Sequence, residues 1–517
     1  MIILLIALLP ASWLILTNRD VPQFGRYQDG ELLFINAKSL SEGHGFRISS
    51  LPGQPYQTKY QPLQPLLLAA IWKFDPNFPA NLRFIALYDW IMFVVFVLAS
   101  ALFLATIFSP IEAAALAASI ALSPLVIYWA TVPTADYLCA ALIMTTFVAA
   151  RRAFFGNARW FVVAGMLAAG AYLTKSAGIF VVPAVLVAAC LRRNWRGALL
   201  FLAPATPAIL GWIAWAQAHR AAGDHPVLWY YTDYIGAHVK NGGLAAIPQI
   251  LSVNIMAFAG AAGSFVIHDL PDSMVGRFFC ILIATALITG AVRIGRLSGD
   301  LAYPLFCGML AAALCVWNFS PNVRLILPII PLVAAGAYLE LKQFYRLTRD
   351  ALKARGSNRL AAYLLTAAFL IGCGYAIRQN GLFIFRNIPA LIEQAREENR
   401  RAGAAYQWMR AWLPSSSVVL ASEDTLVYLN AGLASVSPVP DSVAFYRRDH
   451  ARMLDNFTNF KKLGSFFGVT HILLAPGDFA TLFDAEDQAE IRRLLLDVPH
   501  REVYNRDGYQ ILQLRLQ

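Results

Sequence analysis

Residues 160–190 read WFVVAGMLAAGAYLTKSAGIFVVPAVLVAAC, a run that is apolar throughout except at Thr174-Lys175-Ser176. An ammonium group is costly inside a hydrocarbon layer, so the run predicts two short membrane helices folded back at Lys175. The whole chain agrees with that setting. Of its 517 residues 58% are hydrophobic and 14% charged, where a soluble protein carries about a quarter charged. The composition predicts a polytopic α-helical membrane protein. The formal charge of +11 does not point to nucleic acid, because the basic residues sit in short loops between apolar segments.

Outward from Lys175, apolar segments precede it at 2–17, 83–107, 111–132 and 136–152, and follow it at 198–218, 277–294, 301–317, 325–341 and 360–377. With the folded-back pair they make about eleven helices. Segment 2–17 lacks the charged start and small-residue cleavage site of a signal peptide and reads as a retained first helix. Two long polar loops interrupt the alternation, at 18–81 and 219–274. Within the second, 244–262 is apolar enough for an interfacial or partly inserted helix. Arginines gather in every second connection: Arg151, Arg152 and Arg159, then Arg192, Arg193 and Arg196, then Arg293 and Arg296, then Lys342, Arg346, Arg349, Lys353, Arg355 and Arg359. The positive-inside rule assigns these four groups to the cytoplasm, which puts both long loops and the C-terminal tail on the outer face.

The tail changes character, so the chain divides into a transmembrane domain over 1–378 and a soluble outer α/β domain over 379–517. Residues 393–412 are charged with a helical pattern that stops at Pro414. Residues 417–421, 470–475 and 509–514 read as strands, and 485–496 as a helix. The six cysteines lie in apolar stretches with no CxxC spacing, so neither a disulfide nor a cysteine-bound metal is expected.

The first polar loop holds the densest set of reactive groups. Arg26-Tyr27-Gln28-Asp29-Gly30-Glu31 is followed by Leu33, Phe34, Ala37 and Leu40 at helical spacing and by Gly43-His44-Gly45. This predicts an amphipathic helix lying on the membrane with Asp29 at its start. Asp29 there reads equally as a helix cap or as a catalytic carboxylate. Lys175 and Arg324 fall at outer helix ends, against the charge bias, and read as phosphate ligands or as interfacial anchors. Glu31 and Asp136 read first as solvated or capping acids. Asp233 stands among Trp229, Tyr230, Tyr231 and Tyr234, whose rings would stack on a sugar or form an interfacial belt. His44, His225 and His238 show no metal-ligand spacing and read as loop residues.

Asp29-Gly30-Glu31 with Phe34, Ala37, Leu40, Gly43, Gly45 and Phe46, followed by Lys59-Tyr60-Gln61-Pro62-Leu63-Gln64-Pro65, resembles the first outer loop of the GT-C membrane glycosyltransferases. It is similar to the protein O-mannosyltransferase, aminoarabinose transferase and bacterial dolichyl-phosphate-mannose-protein mannosyltransferase group. Thr134-Ala135-Asp136, and Arg324 followed by Leu327-Pro328 and Pro331, resemble that family's later helix starts. The resemblance implies a glycosyltransferase of the bacterial inner membrane; a single attack by the acceptor makes it inverting, and the charge rule makes its C-terminus extracytoplasmic. Asp29 would be the general base, with a pKa raised by partial burial, and Lys59 a ligand of the donor phosphate. Arg324 and Lys175 are further phosphate candidates, and Glu31, Tyr60, Asp136, Tyr230 and Asp233 candidate substrate contacts. The implied partners are a polyprenyl-phosphate-sugar donor, a lipid, polysaccharide or protein acceptor, and the membrane lipids. No cofactor is expected, with a divalent metal left open. Thr58 and Gln61 depart from the family pattern, which often has glutamate and proline there.

Two other classes compete. A transporter or lipid flippase would place charges inside spans or show paired repeats, and neither is read in the sequence. A non-catalytic envelope scaffold would tolerate the joint loss of Asp29 and Lys59.

Overall fold

The computed structural model describes residues 2–20, 23–24, 27–233, 236, 244–354, 359–438, 442–480 and 482–515. Arg26, Tyr234, His238 and Arg355 lie outside the described residues. The helices are α1 (Ile2–Thr17), α2 (Gln28–Ser41), α3 (Leu63–Phe74), α4 (Leu82–Leu104), α5 (Pro110–Ala121), α6 (Pro124–Ala130), α7 (Asp136–Phe155), α8 (Trp160–Thr174), α9 (Val181–Leu191), α10 (Trp195–Ala218) and α11 (Pro226–Thr232). They continue as α12 (Ile247–Ser264), α13 (Met274–Ser298), α14 (Ala302–Cys315), α15 (Val323–Ile326), α16 (Ile330–Ala354), α17 (Arg359–Leu382) and α18 (Ile388–Trp412). Among the described residues, 7 helical stretches are long and apolar enough to cross a membrane, or 8 if the bent α5–α6 pair is one span. Helices α1, α8, α9 and α14 account for four of the eleven segments read from sequence and are shorter apolar helices, while α12, counted here, was not one of the eleven.

The break at Lys175 is present. Helix α8 stops at Thr174, a 3₁₀ turn covers Ser176–Phe180, and α9 follows. Gly178 rests on the end of α8 so closely that a Cβ would stand 2.4 Å from the Ala171 carbonyl carbon. The single span expected at 111–132 is instead bent by 61° between α5 and α6. Pro124 cannot extend the helix before it, and the Ser123 hydroxyl donates to the Phe265 carbonyl at 2.9 Å. Segment 244–262, read as interfacial or partly inserted, is the 18-residue α12, tied by Asn254 Nδ2 to the Leu314 and Trp317 carbonyls at 3.0 and 2.6 Å.

The first polar loop is more apolar in its contacts than its composition suggested, and it includes the apolar helix α3. Helix α2 is not the one-sided amphipathic helix its spacing suggested: every residue from Gly30 to Ala37 is buried. Leu33, Phe34 and Ala37 pack with Leu68 and Trp72 of α3 and with Tyr406 and Leu426 of the tail. Leu32, on another side, meets Tyr231 and Leu420. A helix covered on several sides buries residues all round, whatever stripe its sequence shows.

Helices α17 and α18 are joined by a π-helical turn at Phe383–Asn387. Beyond α18 comes a five-stranded sheet of β1 (Val418–Leu420), β2 (Ala434–Val436), β3 (His471–Leu474), β4 (His500–Arg506) and β5 (Tyr509–Leu514), in the order β2-β1-β3-β5-β4. β1 runs parallel to β2 and β3, and β5 antiparallel to β3 and β4. The three strands expected from sequence are β1, β3 and β5, and the expected helix is Ala485–Leu496. β2 has three residues and β4 is a charged edge strand, so neither carries an apolar alternation to read. The tail meets both long loops, since Ser435 N donates to Ser50 O at 2.7 Å and Asp424 accepts from Gln28 and Tyr231.

Candidate active site

Helix α2 begins at Gln28, and Tyr27, its N-cap, makes no side-chain cap bond. Asp29 is therefore inside the helix, and the capping reading does not hold. Gly30 brings this first turn onto the Pro133–Asp136 turn: a Cβ at Gly30 would stand 2.2 Å from the Pro133 carbonyl oxygen. That close approach lets Asp29 and Asp136, the first residue of α7, reach one guanidinium.

The guanidinium belongs to Arg324. It sits in the first turn of α15, whose start is capped by Asn322 Oδ1 accepting from Leu325 N at 3.3 Å. Arg324 Nη2 donates to Asp29 Oδ2 at 3.0 Å, and its Nε lies 3.5 Å from Asp136 Oδ2. The rings of Tyr27 and Trp129 flank it at 5.4 and 5.5 Å. Lys175, held at the end of α8 by the break, pairs with Asp136 Oδ1, and the Tyr60 hydroxyl donates to Asp29 Oδ1. Lys59 Nζ lies 4.0 Å from the Tyr230 ring centre and 4.7 Å from that of Tyr60. Gln57 Oε1 fixes this loop by accepting from Lys59 N and Tyr60 N at 3.0 and 3.1 Å. Thr58, the departure from the family pattern, donates from Oγ1 to Thr232 O at 2.6 Å and so ties the first loop to the second.

Burial works to raise the Asp29 pKa, but Arg324, then Lys59, the Tyr60 hydrogen bond and Lys175 outweigh it and hold the carboxyl well below the usual range. The raised pKa expected for this residue is not what the site produces, because cations surround it. Burial brings the Lys59 ammonium down to about 8, against the pull of Asp29.

Tyr60, Tyr230, Lys59, Lys175, Asp136 and Arg324 thus converge on Asp29. Glu31, expected to be solvated or capping, is buried within α2. Asp136 is also buried and serves Arg324 and Lys175 rather than solvent. Asp233 turns elsewhere, to Arg220 Nη2 at 2.7 Å and Gly236 N at 3.0 Å. His44 is an exposed neighbour of Glu42, and His225 Nδ1 accepts from Val227 N at 3.2 Å to cap α11.

Two buried acids close to these residues escaped the sequence reading. Asp89 is a carboxyl inside the span α4, contrary to the expectation that no span carries a buried charge; it borders a small cavity with Gly30, Gln64 and Thr134. Asp424, in the tail, accepts from Gln28 Nε2 at 2.7 Å and from the Tyr231 hydroxyl at 2.8 Å. Burial pushes its pKa up to about 6, with Tyr231 and Gln28 opposing. Asn322 preceding a Leu325-containing apolar run was a readable cap signal; the pairing of Tyr27 and Trp129 around Arg324 had none.

A divalent ion bound at these acids would have to displace existing partners. Both oxygens of Asp29 and both of Asp136 are engaged by Tyr60, Arg324 or Lys175. Among the described residues no group of three His, Cys, Asp or Glu is placed to hold a metal.

No protein-family model matches the sequence, and no curated protein does. Solved structures do. ArnT from Cupriavidus metallidurans bound to undecaprenyl phosphate superposes with a TM-score of 0.57 at 13% identity, over 98% of this chain and 97% of that one. The archaeal oligosaccharyltransferase AglB from Archaeoglobus fulgidus, in complex with an inhibitory peptide and a dolichol-phosphate, gives 0.57 at 15% identity, over 99% of this chain and 74% of that one. The same oligosaccharyltransferase in complex with Zn and sulfate gives 0.53 at 15% identity, over 91% and 67%. At such identities the likeness speaks for the fold, and it spans nearly all of the chain: this protein has the fold of the GT-C membrane glycosyltransferases.

Proposed function

We propose that the chain is an inverting glycosyltransferase that moves a sugar from a polyprenyl-phosphate carrier to an acceptor at the outer face of a bacterial inner membrane. The observation that carries this reading is the convergence of Asp29 with Arg324 and Lys59: an ionised carboxylate beside two cations. The lipids in the ArnT and AglB structures, undecaprenyl phosphate and dolichol-phosphate, support the donor class.

The acceptor hydroxyl attacks the anomeric carbon, and its proton passes to Asp29 as the new C–O bond forms. The bond from the anomeric carbon to the phosphate oxygen breaks on the opposite side, and the electron pair leaves with the polyprenyl phosphate. Lys59 and Arg324 stabilise the charge on that leaving group. A single displacement inverts the anomeric centre. Donor binding also strengthens the base: a phosphate that takes up Lys59 and Arg324 relieves Asp29 of its two strongest lowering charges, so its pKa rises once the donor is in place. The phenol of Tyr60 orients the carboxylate, and the Tyr230 ring holds the Lys59 stem. Lys175 shares Asp136 with Arg324, so Arg324 can turn toward phosphate without leaving Asp136 unpaired.

In membranes supplied with labelled polyprenyl-phosphate sugar, the wild-type protein transfers label and Asp29→Asn, present at the same level, does not. Undiminished transfer by Asp29→Asn removes this residue from the reaction.

A further inference from the structure

Helices α7 and α8 carry Asp136 and Lys175 into the site at one end, and their other ends come together far from it. Helix α7 has 20 residues, about 30 Å of axis, so its last turn lies roughly one bilayer core away from Asp136. There a pocket of about 470 Å³ opens between the ends of α4 and α7 and the start of α8. Leu102, Val148 and Phe155 give it an apolar trough, and Arg151, Arg152 and Asn157 a polar rim.

Each rim cation has anchoring contacts. Arg151 donates from Nη1 to Ser298 O at 3.0 Å and from Nη2 to Thr106 O at 3.1 Å, and its guanidinium lies 4.8 Å from the Phe155 ring centre. Arg152 is exposed and stacks on Trp160 at 4.9 Å. Among the described residues no carboxylate stands within ion-pair distance of either. Asp300, the acid of this region, is buried, accepts from Ala302 N at 2.9 Å and offsets part of the Arg151 charge from beyond ion-pair distance. A cation at a helix C-terminus answers the helix dipole, and one at an interface can simply snorkel. Neither accounts for two guanidinium groups gathered beside an apolar trough at the far end of the spans α4 and α7.

We infer that this pocket binds one anionic phospholipid, its phosphate between Arg151 and Arg152 and an acyl chain along Leu102 and Val148. Guanidinium groups match phosphate oxygens in geometry and charge, and basic pockets between helices at this level suit acidic headgroups. The inference stands apart from the sugar-transfer reading, since it uses the opposite end of the helix pair.

The test is native mass spectrometry of the full-length protein in neutral detergent, titrated with phosphatidylglycerol or with phosphatidylcholine of the same acyl chains. The expected result is one saturable phosphatidylglycerol, bound several-fold more tightly than phosphatidylcholine and not displaced by millimolar inorganic phosphate. Arg152→Gln should weaken it about fivefold; this side chain is exposed, so the fold should persist, as a single size-exclusion peak would show. Asn157→Asp is the second variant: it keeps the acceptor for Arg159 N and adds a negative charge to the rim, so it too should weaken binding. Equal affinity for the two lipids, or wild-type affinity in both variants, overturns the inference. Displacement by inorganic phosphate overturns the lipid assignment in favour of a plain anion site.

Discussion

Asp29 and Asp424 are both carboxylates near the meeting point of the loops and the tail, and Gln28, which donates to Asp424, is the neighbour of Asp29. Their surroundings send them in opposite directions. Asp29 faces cations, Arg324 and Lys59, and stays ionised despite burial. Asp424 faces only neutral donors, Tyr231 and Gln28, and burial raises it to about 6. The magnitudes explain the split: opposite charges about 4 Å apart gain roughly 4 kcal/mol at an effective dielectric of 20, whereas a neutral hydrogen bond contributes about 1 kcal/mol net. Cations make a carboxylate available for chemistry. Neutral donors make one into a joint, here between the tail, the first helix of the site and the second loop.

The contrast predicts unequal losses. Asp29→Asn should cut transfer by about a hundredfold to ten-thousandfold, the range of a missing general base, while Asp424→Asn, which keeps an oxygen for Gln28, should stay within about tenfold of wild type in the same assay. Equal losses would mean that both acids are structural. Next in size, Lys59→Ala should raise the donor KM by about ten- to a hundredfold, as expected for one charged hydrogen bond to phosphate. The wild-type kcat/KM should fall as pH rises through about 8, where Lys59 loses its proton, and Lys59→Arg should move that limb to higher pH. An alkaline limb unmoved by Lys59→Arg assigns it to another group.

Gly30→Ala tests how the two halves of the site are brought together. Its Cβ would meet the Pro133 carbonyl oxygen at 2.2 Å, so unfolding measurements should show a loss of about 1–3 kcal/mol along with reduced turnover. Unaltered stability would mean that the turn yields without cost. The smallest effect concerns Asp424 and pH. Its folded pKa of about 6 exceeds the ordinary 3.8, so between these values the folded state binds a proton that the unfolded state does not. Stability from this group is therefore lost as pH rises from about 4 to 6 and stays lost above. Asp424→Asn, neutral at every pH, should gain stability relative to wild type as pH rises through that window, read from the difference in Tm. A difference that does not vary with pH contradicts the burial argument.

The fold class was legible because hydrocarbon imposes a strong compositional demand, and Lys175 was legible because a charge inside an apolar run must end a helix. The bend at Pro124 and the burial of α2 were not, since both depend on what packs alongside: the Phe265 carbonyl in one case, the tail in the other. At the site, the resemblance in the first loop singled out Asp29 and Lys59, and the charge bias singled out Lys175 and Arg324. Their convergence lies in long-range geometry, with Arg324 295 residues from Asp29. Asp89 and Asp424 stood in apolar or mixed stretches that gave them no spacing to stand out by.

The most direct test is to purify Asp29→Asn and identify the lipid that stays with it by mass spectrometry. A carboxylate needed for transfer but not for holding the phosphate should leave the donor trapped, so the spectrum should show an intact polyprenyl-phosphate sugar, lost again when Lys59→Ala is added. A protein that retains no polyprenyl-phosphate lipid, with or without Lys59, contradicts the assignment of this site to a lipid-linked sugar donor.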